Sequence, residues 1–323
     1  MKQIHQKCGL LPLLFCLGLF FTTDASAQTD MDAIMMEKNQ FCVGPMAGYS
    51  SWKNYWEGTN KRDNANLGTV SARSYSVMGN YGVSEKLNIL FNLPYIITKA
   101  SAGQLHSMKG LQDLSLWVKY LALEKALGKG VFSIYPLGGV SFPVSNYIAD
   151  YLPLSIGSHS TNLSFRMIAD YQVNSWFATI SATYIHRSNI KIDRKAYYTT
   201  EMHYSDKVDL PDAMQYAFRT GIRNERLIAE AVLTDWASND GFDITKNNMP
   251  FPSNKMNMTT AGVNFKYNIY KVSGLSITGG ANTTIAGRNV GQATMGNLGI
   301  FYIINLKHKI KLIDQEKAGN SAH

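Results

Sequence analysis

The sequence predicts an all-β chain folded as a transmembrane antiparallel up-and-down β-barrel of about 12 strands, with short periplasmic turns and long extracellular loops. Three observations lead there: apolar and polar residues alternate with period 2, the connections alternate short and long, and Tyr and Trp gather at the two ends of the apolar face. Alternation is the signature of a strand whose two faces meet different surroundings. In residues 111–121, Leu114, Leu116, Val118 and Tyr120 share one face while Asp113, Ser115 and Lys119 share the other, with Trp117 as a large exception. Residues 163–171 set Leu163, Phe165, Met167, Ala169 and Tyr171 against Ser164, Arg166 and Asp170, with Ile168 as the exception. In residues 261–267, Ala261, Val263, Phe265 and Tyr267 alternate with Gly262, Asn264 and Lys266.

Residues 1–27 stand apart from this pattern. Lys2 and Lys7 precede an apolar run from Cys8 to Phe21, and Ala25-Ser26-Ala27 follows as a small-residue cleavage site, the order of a secretory signal peptide. The run is shorter than the ~20 residues of a spanning helix. Cleavage near Ala27 leaves Cys42 as the one cysteine of the mature chain, so no intrachain disulfide is available to it. After residue 27 no stretch stays apolar for ~18 residues, the length that would suggest a membrane helix, so a soluble exported protein and a β-barrel both satisfy this test. The net charge of +8 is spread along the chain. That speaks against a nucleic-acid partner and suits anionic lipid or an anion-favouring lumen.

Strands are expected at about 41–53, 70–82, 86–97, 111–122, 131–142, 162–172, 176–187, 213–223, 226–237, 257–268, 274–285 and 294–306. Each reaches the ~9–11 residues a tilted membrane strand needs. Short connections are expected at 82–87, 123–130, 173–175, 224–225 and 269–274, and long ones at 56–69, 98–110, 143–161, 188–212, 237–255 and 287–293. An even strand count puts both ends of the barrel on the turn side. There the outward rings are Tyr81, Tyr120, Tyr171, Trp176 and Tyr267, and on the loop side Tyr49, Tyr95, Tyr184 and Tyr216, as two interfacial girdles require. Glycines within strands, such as Gly138 and Gly139, permit curvature or close approach of side chains.

The chain divides into the signal peptide 1–27, a periplasmic lead-in or short plug at 28–40 containing Met31, Met35 and Met36, the barrel at 41–306 and a polar tail at 307–323. The tail departs from the habit of ending such barrels on an aromatic residue, so either Phe301-Tyr302 is an internal signal for the barrel-assembly machinery or the final strand extends toward Leu312. The loop 188–212 either continues its hairpin outward or folds in as a constriction.

The run Leu90-Phe91-Asn92-Leu93-Pro94-Tyr95, a long loop, and Gly110-Leu111-Gln112-Asp113-Leu114 leading into Trp117-Val118-Lys119-Tyr120 resembles the outer-membrane barrels of the phenol-degradation MetA-pathway transporter family. Gly139 to Pro143 resembles the next strand of that family, and the likeness covers residues 86–143. Gln112 stands where the family carries a second glycine. The resemblance implies an outer-membrane transport protein of Gram-negative bacteria that passes small aromatic or hydrophobic compounds.

The inward face collects Asp113, Lys119, Arg166, Asp170, Arg219, Glu230 and Lys266, which are the candidate lumen-lining residues. They either set which small-molecule solutes enter a porin-like channel or pair off and fill a closed interior. An outer-membrane lipid hydrolase is the rival class, and a structural or adhesive surface barrel a third. His106-Ser107 and His159-Ser160 fall in expected outer loops, but neighbours on an extended chain point oppositely, and no G-x-S-x-G, H-E-x-x-H or C-x-x-C spacing occurs. His106, His159, His186 and His203 have no metal-ligand spacing. The expectation is therefore not an enzyme, with no catalytic residue, cofactor or metal, and with outer-membrane lipid and a small solute as partners.

Overall fold

The computed structural model describes residues 29–244 and 250–306; residues 1–27, expected to be a signal peptide, and 307–323, expected to be a polar tail, lie outside the described residues. Twelve antiparallel strands form a closed barrel. They are β1 (Gln40–Trp52), β2 (Val70–Ser84), β3 (Leu87–Ala100), β4 (Asp113–Tyr120, with Lys109–Leu111 above it and Leu123–Leu127 below), β5 (Gly130–Pro143) and β6 (Asn162–Val173). The ring continues through β7 (Trp176–Arg187), β8 (Ala213–Arg223), β9 (Leu227–Ser238), β10 (Asn257–Asn268), β11 (Leu275–Arg288) and β12 (Thr294–Asn305). Each strand pairs with the next, and β12 pairs back onto β1 from Gln40↔Asn305 to Ser51↔Thr294, which closes the ring. Closure leaves no edge in hydrocarbon, where each unpaired backbone group costs several kcal/mol.

The faces follow the sequence alternation. Val118, Phe165 and Phe265 are 46%, 53% and 43% exposed, so no described part of this chain packs over the apolar face there. Tyr49, Tyr184 and Tyr216 toward the loop end, and Tyr120, Trp176 and Tyr267 toward the turn end, lie exposed on the same outward face. Among the described residues no helix is long and apolar enough to cross a membrane.

Two expected connections are corrected. The segment 123–130, read as a short turn, contains Leu123–Leu127, which pairs with β5 from Leu123↔Ile134 to Leu127↔Gly130 and extends the hairpin below the barrel. Both its faces are solvated, so no period-2 contrast marks it, and Gly128 at φ 60 makes its tight turn. Likewise 56–69, read as a loop, contributes to a small hairpin of Asn54–Glu57 with Asn60–Asp63, turned by Gly58 at φ 56. β4 is also interrupted at Gln112, whose N–H donates to the carbonyl of Pro94. The bulge shifts the outward parity from Leu111 to Leu114.

On the loop side, Ile190↔Val208 continues the β7–β8 hairpin outward and Tyr197↔His203 forms its tip. Its inner side packs with Ala149, Leu210 and Phe251 into a small core above the barrel. Arg288 grips Asp243 with two bonds of 2.8 and 2.6 Å, tying the next loop to β11.

If the faces are as described, replacing outward Leu116 by Arg should destabilise the refolded barrel by about 2–4 kcal/mol near the bilayer midplane. An Arg at inward Ser115 should cost less than half of that. Urea midpoints of barrels refolded into lipid vesicles measure both, and equal losses would contradict the assignment of faces.

Candidate functional site

The interior is built by inward positions of consecutive strands and by the segment that precedes β1. Lys119, near the turn-side end of β4, is fully buried. Its Nζ donates to the carbonyls of Thr29 (2.7 Å), Asp32 (2.9 Å) and Ile34 (3.3 Å) and to Asp32 Oδ1 (3.0 Å). An ammonium has three protons, so these four acceptors share them. The segment curls around the lysine because Asp32 also accepts from the N–H groups of Thr29 (2.5 Å) and Ile34 (3.1 Å). Arg166 of β6 donates from Nη1 to the carbonyl of Asp30 (2.7 Å) and to its Oδ2 (2.8 Å), and from Nε to Thr183 (2.7 Å). Its guanidinium lies 4.6 Å from the ring centre of Trp117.

Trp117 and Ile168 break the alternation for a reason. Both point inward, where Ile168 joins Tyr135, Leu137 and Ala33 in a buried cluster with Trp117 and Met35 against it. Met36 packs likewise against Cys42, Phe301 and Ile303. The apolar inward residues are therefore the bed on which the N-terminal segment lies. Two glycines make room. A Cβ on Gly139 would sit 2.5 Å from the Trp117 ring, and one on Gly82 would sit 2.0 Å from the carbonyl oxygen of Glu37. Gly82 also accepts the Asn39 N–H at 2.8 Å, fixing the end of the segment.

Beyond the segment, inward charges pair across strands. Arg223 Nη1 reaches Asp170 Oδ2 at 2.9 Å, stacks 4.0 Å from the Phe177 ring centre, and Asp170 also accepts from the Thr179 hydroxyl. Arg219 and Glu230 stand 3.4 Å apart, and Asn264 donates to Glu230 at 2.9 Å. Lys266 is buried beside them. A cavity of about 290 Å³ separates the segment from this wall, lined by Met31, Asp32, Arg219, Glu230, Lys266 and Phe301. Another of about 610 Å³ lies toward the turn side, lined by Ala33, Glu124, Asp170 and Arg223. Ile34 lines both, so the segment lies between them.

Of the residues expected to line the lumen, Lys119, Arg166, Asp170, Arg219, Glu230 and Lys266 come together around this segment. Asp113 does not. It sits at the loop-side end of β4, where the Tyr147 hydroxyl donates to it at 2.6 Å and itself accepts the His159 N–H at 2.9 Å. Burial, and then the bond to Asp113, push the Tyr147 phenol well above its usual range. Sequence reasoning missed Arg223, although it is four residues beyond Arg219 on the same face, and missed Asp30 and Asp32.

The loop dipeptides serve the loops. The His106 N–H donates to the Tyr151 hydroxyl (2.8 Å), the His159 ring meets Tyr147 edge-on, and the Ser160 hydroxyl donates to the carbonyl of Ser188 at 2.9 Å. His186 Nδ1 lies 3.0 Å from Asp212, and His203 Nε2 lies 2.8 Å from Thr199 Oγ1. Among the described residues no group of His, Cys, Asp and Glu could hold a metal ion.

The protein is similar to the crystal structure of an outer membrane channel from Pseudomonas putida F1, with a TM-score of 0.67 and 12% identity over 86% of this chain and 100% of that one. The two share a fold. The translocator domain of the autotransporter NalP from Neisseria meningitidis superposes less well, with a TM-score of 0.43 and 9% identity over 84% of this chain and 90% of that one. A scan against protein-family models and a search of curated proteins found no match.

Lys119→Met removes the donor around which residues 29–34 are wound. Protease added to the detergent-solubilised barrel should then cut within residues 29–38 of the variant at least tenfold faster than in the wild type. An unchanged cleavage rate would show that Lys119 does not hold the segment.

Proposed function

We propose that the chain is a channel for small solutes in the outer membrane of a Gram-negative bacterium, exported by cleavage of residues 1–27 near Ala27 and inserted by the barrel-assembly machinery. In this reading residues 28–40 form a plug in the lumen and the tail 307–323 stays in the periplasm. The observation that carries the proposal is the division of one closed sheet into an apolar outside and a charged inside, which suits lipid outside and aqueous solute within. The fold shared with an outer membrane channel supports it.

The plug is the part of the interior that can leave without breaking a strand. With it in place, Asp30 and Asp32 neutralise Arg166 and Lys119. Without it, Lys119, Arg166, Arg219, Arg223 and Lys266 face Asp170 and Glu230 in this part of the lumen, and the excess of cations favours anions. The solute class follows from two supports. The cavity beside the plug mixes apolar Met31, Met46, Met78 and Phe301 with Arg219 and Lys266, a lining that suits a small aromatic or hydrophobic compound with a polar group. The likeness of residues 86–143 to the phenol-degradation MetA-pathway transporters points to the same class.

Single-channel recording in planar bilayers tests the proposal. The wild type should show small, infrequent openings, and Asp30→Asn with Asp32→Asn should raise open probability severalfold and shift the reversal potential toward anions. Arg219→Glu in that background should move selectivity back toward cations. Absence of conductance from both the wild type and the plug variant would contradict a channel.

A further inference from the structure

We infer that the outer rim of β2–β4 is a docking site for the phosphate groups of an outer-leaflet glycolipid, a feature of the outside of the barrel that is independent of its lumen. Arg73, Lys99 and Lys109 are all exposed on the outward face. Their direction follows from their neighbours: Tyr75 and Val77 continue the outward row below Arg73, while Thr98, beside Lys99, is buried and bonded to the carbonyl of Leu154. Gly110, beside Lys109, faces Ile156 and Ser145 of the loop over the mouth.

The register brings the three together. Ile97 of β3 pairs with Arg73 on one side and Lys109 on the other, and Lys99 is the next outward residue above Ile97. Strand spacing puts the Arg73 and Lys109 backbones roughly 10 Å apart, with Lys99 about 7 Å above the line between them. Side chains of this length converge on a single headgroup across such distances. Immediately below lie Tyr75 and Tyr95, a cross-strand pair in the loop-side girdle, so the three cations stand just above the hydrocarbon boundary, at the level of lipid phosphates.

Charge selects the occupant. Within the described residues none of the three cations has an ion-pair partner, and outward positions of β2, β3 and β4 carry no Asp or Glu. On β7–β9 the outward rim is different: Asp212 is held by Tyr184 and His186, and Asp235 accepts from Thr259. A positive sector on three adjacent strands fits a lipid with two phosphates on one rigid headgroup better than a diffuse anionic surface. The bis-phosphorylated, multiply acylated glucosamine disaccharide of the outer leaflet has that chemistry, and its chains would lie along Val77, Ile89 and Leu116 below. This rests on the outer-membrane placement proposed above.

The test is native mass spectrometry of the full mature chain, refolded in detergent and offered bis-phosphorylated lipid A, monophosphorylated lipid A or phosphatidylglycerol at ~0.15 M salt, with bilayer insertion followed in parallel. The wild type should retain the bis-phosphorylated form most strongly, and Arg73→Gln/Lys99→Gln/Lys109→Gln should lower that retention roughly 100-fold, since each interfacial cation contributes a factor of about five. Each single Gln variant should lower it a few-fold, which keeps the test decisive if the triple variant refolds poorly. Lys271→Gln, at the turn side, should change nothing. Equal retention by wild type and variants, or equal retention of phosphatidylglycerol, overturns the site. A wild-type chain that inserts and conducts but retains no glycolipid overturns it while leaving the channel reading intact, whereas failure to insert overturns both.

Discussion

The seam between β12 and β1 is the constraint on which the rest of the structure depends. A sheet bathed in hydrocarbon cannot leave a row of N–H and C=O groups unpaired, so the last strand must find the first across nearly the whole chain. The pairs from Gln40↔Asn305 to Ser51↔Thr294 make that join. Once the ring is closed, each residue has only two directions to point. Alternation then becomes a division between two solvents, with Phe165 outside and Arg166 inside by the same rule.

The inside answers a second physical demand. Buried cations are costly unless they are given acceptors, and this barrel supplies them in two ways. Arg219 finds a carboxylate on the adjacent strand and Arg223 finds one two strands away, which fixes those pairs as part of the wall. Lys119 and Arg166 find theirs on a segment outside the sheet. The first kind of pairing persists as long as the fold does. The second kind connects the charge of the lumen to a segment that is no part of the sheet, and that connection is the physical basis of the plug reading.

Strand positions and faces were legible in the sequence because a closed sheet between two solvents imposes one period on every strand, and local residues carry it. The hairpin below β4 was not, since Leu123–Leu127 has water on both sides and therefore nothing to alternate. Asp30 was not either: its partner Arg166 is 136 residues away, and no local pattern encodes that distance. A trace was nevertheless present. Trp117 and Ile168 violated the alternation, and large apolar residues on a polar face require something apolar to meet them. Ala33 and Met35 are what they meet. Arg223 was overlooked at a strand end, although parity with Arg219 placed it indoors.

The anchoring of the segment at both ends has a mechanical consequence. Asn39 donates to Gly82 of β2 and accepts the Leu306 N–H beyond β12, so the segment springs from the join itself, and it reaches across to β4 and β6. It acts as a strut spanning a hollow ring that lateral membrane pressure would otherwise flatten. Its bonds to β4 and β6 make the cross-section stiff along the line it follows, so the tube keeps its width there for as long as the segment stays.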